Sequence, residues 1–236
     1  MRIQPERIVI ESHLGLPHAA ATWIADAIAD AIRRAGTCSL ALSGGRTPRA
    51  VYAELASAFR DVPWNKVHIY FGDERAVPPT DAASNYRMAR EALLDPLSVP
   101  AANVHRMEAE RADLEAAAAD YARALPAALD VLLLGLGPDG HTASLFPGAP
   151  TLDERARLVA PATSPFPPPS RLTITPPVIA AARRVAVIAE GADKAAMIQR
   201  AIEGPHDPHV LPVQLALGGV WLLDREGASR LAQVPA

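Results

Sequence analysis

The residues best placed to do chemistry lie in Leu134-Gly135-Leu136-Gly137-Pro138-Asp139-Gly140-His141-Thr142-Ala143-Ser144-Leu145-Phe146-Pro147. An imidazole exchanges protons near neutral pH, and here one follows a carboxylate by two positions. The glycines let the backbone turn sharply and approach a ligand closely. The apolar run 131–134 before them reads as a strand covered on both faces, so His141 is carried just past a strand's carboxyl end. Open α/β sheets bind their ligands there. A lone loop histidine is also commonly a satisfied surface residue; the glycine-rich strand-end setting is what favours chemistry.

Two more strand ends carry polar groups. Ser43-Gly44-Gly45 follows the strand 39–42 and precedes a helix, so its backbone N–H groups suit a phosphate, although tight strand-to-helix turns that bind nothing look the same. The turn matches neither a Walker loop nor Gly-x-Gly-x-x-Gly, and no nucleotide is implied. Asp73-Glu74-Arg75 ends the strand 67–71. Such a cluster is usually solvated, but polarity at three successive strand ends favours a site. Arg171, just past the proline-rich segment 161–169, and Lys194, opening a helix after Gly191, are suited to clamp an anion as a fork and a point charge. Taken singly, each reads as a surface side chain. Lys66 and Lys194 are the only lysines among many arginines, which makes Lys194 worth noting. His206 and His209 bracket a proline, with no third ligand nearby, so no metal is expected. No Gly-x-Ser-x-Gly elbow is present.

Alternating elements must position these groups. Strands are expected at 8–12, 39–42, 67–71, 131–134, 171–175, 185–189 and 220–223, and helices at about 19–34, 49–58, 84–94 and 114–125, with further helices after the strands at 171 and 185. In the first helix Trp23, Ile24, Ala27, Ile28, Ala31 and Ile32 share one face, and Gly36 closes it. Strands joined by helical crossovers predict an α/β fold with a mostly parallel, doubly wound sheet. Five prolines in 161–169 predict a stiff, irregular loop, read first as a surface connector and second as a lid beside the site.

Half of the 236 residues are apolar, enough to bury a proper core. A net charge of −3, with no basic stripe, argues against a nucleic-acid partner. One cysteine, Cys38, forbids internal disulfides and agrees with a reducing cytoplasm. The first residues contain no apolar signal core, and no apolar stretch is long enough to span a bilayer, so a cytoplasmic protein without a membrane partner is expected. Oligomeric state is not legible.

Leu42-Ser43-Gly44-Gly45-Arg46-Thr47-Pro48, Phe71-Gly72-Asp73-Glu74-Arg75, Ser84-Asn85-Tyr86, the Gly135–Pro147 segment, Arg171-Leu172-Thr173, Gly191-Ala192-Asp193-Lys194-Ala195 and the terminal Trp221-Leu222-Leu223-Asp224 together resemble the 6-phosphogluconolactonases, in that order and over nearly the whole chain. The resemblance implies one domain over 1–236 with the Rossmann-like fold shared with sugar-phosphate isomerases and deaminases. It also implies hydrolysis of 6-phospho-D-glucono-1,5-lactone without metal or organic cofactor. On it, His141 is expected to act as the base, Asp139 to orient its ring, and Asp73 and Arg75 to position water and sugar hydroxyls or offset oxyanion charge. Ser43, Gly44, Gly45, Arg171 and Lys194 are expected to hold the phosphate. Arg46 stands where many relatives have Ser, and its role is open. Aminosugar-phosphate deaminases resemble this chain at Asp-Gly-His but continue Ile-Ala-Phe-Asn-Glu, with a carboxylate where Phe146 stands, and carry Thr-Gly-Ser at the first loop. A third reading, a sugar-phosphate sensor domain of a transcription regulator, requires a DNA-binding segment for which the strand near Ile8 leaves no room.

Overall fold

Strands with apolar side chains at consecutive positions must be covered on both faces, and that requirement builds the central sheet. In the computed structural model, which describes residues 3–232, the chain runs β1 (Arg7–Glu11), α1 (Leu16–Ala35), β2 (Cys38–Leu42), α2 (Arg46–Ala58), β3 (Val67–Phe71), β4 (Asp73–Arg75), α3 (Asn85–Ala89), α4 (Leu114–Ala124) and β5 (Val131–Gly135). It continues through β6 (Val159–Thr163), β7 (Ser170–Ile174), α5 (Pro176–Ala181), β8 (Arg184–Ala189), α6 (Ala195–Glu203) and β9 (Val220–Asp224). Six strands form a sheet in the order β1-β9-β8-β5-β2-β3, parallel at every pairing, with helices on both faces. Every residue of β2 and β9 is buried, as is Val131 to Leu134 of β5. Each large aliphatic side chain so covered contributes about 1.5–3 kcal/mol.

The strand order sets the position of the site. From β2 the chain proceeds through α2 to β3 on one side, whereas β5 pairs with β2 on the other. The loops leaving β2 and β5 therefore diverge, opening a crevice at the carboxyl edge.

Two buried tyrosines fix this edge. The Tyr52 hydroxyl accepts from Ser43 N–H at 2.9 Å and donates to Ser43 C=O at 2.8 Å. Tyr121 does the same for Phe71, at 2.7 and 3.1 Å. Burial pushes both phenols well above their ordinary pKa, so they remain neutral donors. Tyr52→Phe strands a buried N–H and C=O together, and its expected effect is a loss of about 1–3 kcal/mol, measured as a lower urea midpoint with unchanged m.

The structure corrects the expected elements at several points. Arg171 to Thr173 belongs to an antiparallel three-stranded sheet, β4-β7-β6, not to the parallel one. Asp73-Glu74-Arg75 is a strand of that sheet, because β7 offers it a ladder. Pro161 lies inside β6, opposite Leu172, where irregular loop was expected; β6 is an edge strand, and proline is tolerated there. α1 begins at Leu16 with Pro17 in its first turn, and α2 begins at Arg46, so Thr47 and Pro48 are helical rather than part of the turn. The 84–94 helix is capped by the Ser84 side chain and passes at Arg90 into a π-helical turn, Arg90–Leu94. Among the described residues, no helix is long and apolar enough to cross a membrane.

Candidate active site

Alternation along β4 and β7 decides which side chains meet, since opposed residues of an antiparallel pair point to the same face. Asp73 faces Thr173 and Arg75 faces Arg171, so all four share one side. Glu74 points to the other, where its carboxylate accepts from the N–H groups of Arg75, Asn85 and Tyr86, each at 2.8 Å, and from Ser84 Oγ at 3.0 Å. Burial pushes the Glu74 carboxyl up, against the downward pull of those amides. Glu74 thus anchors the start of α3 to the small sheet.

A cavity of about 300 Å³ lies between this sheet and the loops after β2 and β5. Ser43, Gly44, Gly45, Asp73, Arg75, His141 and Arg171 all line it. His141 Nδ1 lies 2.5 Å from Asp139 Oδ1. A carboxylate only accepts, so the proton is assigned to Nδ1 and the lone pair to Nε2. The ring packs against Phe146 and Phe166, with centroids 4.7 and 5.9 Å away. Gly137 also abuts the ring: a Cβ there would stand 2.1 Å from His141 Cε1, so the ring's place depends on the missing side chain.

Asp73 is held from both sides, at Oδ1 by Asn85 Nδ2 at 3.1 Å and at Oδ2 by Ser144 Oγ at 2.6 Å. Asn85 also fills the space beside Gly44, where a Cβ would lie 2.0 Å from its Oδ1. The guanidiniums of Arg75 and Arg171 stand across the ladder from each other, although like charges directly opposed destabilise a pair. Burial, and then Arg75, push the Arg171 pKa down. Arg171 Nε donates to Pro168 C=O at 2.8 Å, and Arg75 Nη1 to Ala83 C=O at 2.5 Å. Neither guanidinium is paired with a carboxylate among the described residues. Two guanidiniums without a carboxylate hydrogen-bond partner among the described residues thus line one cavity, a charge arrangement suited to an anion.

The expected residues divide accordingly. His141, Asp73, Arg75, Ser43, Gly44, Gly45 and Arg171 converge, and Asp139 stands behind His141. Lys194 does not line the cavity; it closes a 3₁₀ turn, Ala192–Lys194, just before α6. Arg46 is exposed. The proline segment, apart from its part in β6, is the β6–β7 connection, and Phe166 and Pro167 form a cavity wall. Sequence reasoning quoted Asn85, Ser144 and Thr173 within motifs and gave none of them a role. A larger cavity, about 560 Å³, opens beside α3 and α4, but its three arginines each face a carboxylate: Arg106 with Glu110 at 2.7 Å, Arg111 with Asp120 at 2.7 Å and Arg90 with Asp95 at 3.5 Å. The smaller cavity is where uncommitted charge and a proton acceptor coincide.

A histidine–carboxylate pair and two arginines at the switch point of a parallel sheet mark the candidate site of an α/β enzyme, at the strands' carboxyl edge. The chain belongs to the glucosamine-6-phosphate isomerases/6-phosphogluconolactonase family, whose profile matches residues 12–222. It is similar to the 6-phosphogluconolactonase of Mycobacterium tuberculosis, 39% identical over 230 residues, covering 90% of this chain and 93% of that one. The Streptomyces coelicolor 6-phosphogluconolactonase is 39% identical, covering 96% and 95%. The solved 6-phosphogluconolactonase of Trypanosoma cruzi is 30% identical, with a TM-score of 0.86 and 99% of each chain covered.

Proposed function

We propose that this chain hydrolyses 6-phospho-D-glucono-1,5-lactone to 6-phospho-D-gluconate, a step of the oxidative pentose phosphate pathway, as a carboxylic ester hydrolase. His141 Nε2 takes a proton from water as the oxygen attacks the lactone carbonyl, and the imidazolium returns that proton to the ring oxygen as the C–O bond breaks. Asp139 orients the ring through Nδ1. Asp73 positions the water and sugar hydroxyls, and Arg75 offsets charge on the developing oxyanion. Ser43, the N–H groups of Gly44 and Gly45 and Arg171 hold the phosphate, and Lys194 adds its positive charge from the turn outside the cavity lining, so that remote binding energy fixes the carbonyl against His141. No step calls for a metal or organic cofactor. Among the described residues, no group of three or more His, Cys, Asp and Glu is arranged to hold a metal ion.

The observation that carries this reading is the His141–Asp139 pair sharing one cavity with the Arg75–Arg171 pair. A deaminase relay is disfavoured because the residue five after His141 is Phe146, whose ring packs on the imidazole where that chemistry needs a carboxylate. Both sheets contribute to one hydrophobic core, which supports reading 1–236 as one domain. A cytoplasmic setting is proposed on the single cysteine, Cys38, buried as a free thiol pushed up to about 12 by burial. The test generates the phosphorylated lactone in situ and follows its loss by NMR. Acceleration over the spontaneous rate is expected. If the lactone disappears no faster with protein while glucosamine 6-phosphate is turned over, the deaminase reading takes its place.

A further inference from the structure

Three ionisable side chains unused by this mechanism gather at the other end of the carboxyl edge. His13 lies just past β1, Glu190 directly follows β8, and Asp224 ends β9. Glu190 Oε1 accepts from Thr47 Oγ1, in the first turn of α2, at 2.8 Å, and its Oε2 lies 3.4 Å from His13 Nδ1. Asp224 is fully buried; its Oδ1 accepts from the N–H groups of Gly191 at 2.9 Å and Gly227 at 2.7 Å, and its Oδ2 lies 3.8 Å from His13 Nδ1. Asp224 therefore pins the start of the turn that carries Lys194. Glu190 ties that start to the helix following Ser43-Gly44-Gly45.

The two turns joined are 143 residues apart in sequence. A carboxylate near a phosphate subsite repels the ligand, so its presence needs an offsetting gain, and the Thr47 contact supplies one: the turns are ordered before the ligand arrives. We propose that Glu190 is a positioning residue which, through Thr47, holds the Ser43–Gly45 turn and the Gly191–Lys194 turn at a fixed separation so that both address one phosphate. The inference rests on the phosphate subsite described under the proposed function.

The test compares Glu190→Ala, Thr47→Val, the double variant and Glu190→Gln with wild type. KM and kcat are measured on the phosphorylated and unphosphorylated lactones, and the Kd of 6-phosphogluconate by calorimetry. Losing a charge-assisted hydrogen bond that orders a subsite raises KM for the phosphorylated lactone, and the Kd, by about five- to tenfold in Glu190→Ala. Thr47→Val has the same effect, and the double variant no more than either. Selectivity for the phosphorylated lactone falls in step, with kcat within about twofold. Glu190→Gln, whose amide oxygen still accepts from Thr47, stays within about threefold of wild type.

An unchanged Kd, additive losses, or equal losses on both lactones would overturn the proposal and leave Glu190 a structural residue. Wild type that binds 6-phosphogluconate in a Glu190-dependent way but leaves the lactone untouched would remove the lactonase reading and keep the positioning role. An active wild type with variants unmoved in Kd would do the reverse. Wild type that neither binds nor hydrolyses removes both.

Discussion

His141→Ala is expected to lower kcat on the phosphorylated lactone by about 10³-fold, within the range a positioned acid–base group contributes, while KM moves less than about threefold. The asymmetry follows from the geometry. The imidazole is held through Nδ1 by Asp139 and packed against Phe146 and Phe166, so its remaining nitrogen is offered to a proton rather than to the phosphate. Gly137→Ala should reproduce much of the kcat loss with every proton-transfer group still present, because its methyl occupies the place of the ring. Asp139→Asn, which can donate to Nδ1 and so favour the wrong tautomer, should fall between wild type and His141→Ala. Steady-state kinetics on all three, with melting temperatures to confirm folding, checks the set. A His141→Ala enzyme that keeps wild-type kcat but loses affinity would move His141 out of the chemistry.

The two halves of this site differ in how well the sequence announces them. The Ser43 turn and the His141 loop follow β2 and β5, runs whose unbroken apolarity marks them as buried parallel strands, so the crevice between them was legible. β4 is three charged residues with no apolar period, and it is a strand only because β7 pairs with it. The opposition of Arg75 to Arg171 is a matter of register between segments far apart in sequence, to which no local pattern points. Asn85 and Ser144 reach Asp73 from 12 and 71 positions away for the same reason. Pro161 misled because proline's missing N–H forbids central strands but not edge strands. Lys194 was suggested by composition and resemblance; the structure puts it in the turn after Gly191, outside the cavity lining.

Arg171→Ala should raise KM for the phosphorylated lactone about 30- to 100-fold, the effect of losing a forked, charge-assisted contact of roughly 2–3 kcal/mol, with kcat changed far less. Arg171 differs from a surface arginine in being buried beside a second guanidinium, so the empty site stores repulsion that a bound anion relieves. The consequence is thermodynamic as well as kinetic. Phosphate at about 100 times its Kd should stabilise wild type by about 2.7 kcal/mol, and the melting temperature of Arg171→Ala should respond only weakly to the same concentration. Without phosphate the variant loses little, because relief from Arg75 offsets the lost contact to Pro168 and the two longer ones to Ser164 and Phe166. Arg171→Lys keeps the charge without the fork that reaches both the Pro168 carbonyl and the cavity, so it should recover only part of the affinity. A variant that melts well below wild type without phosphate, yet binds phosphate normally, would make Arg171 a clasp for the proline segment rather than a ligand for the substrate.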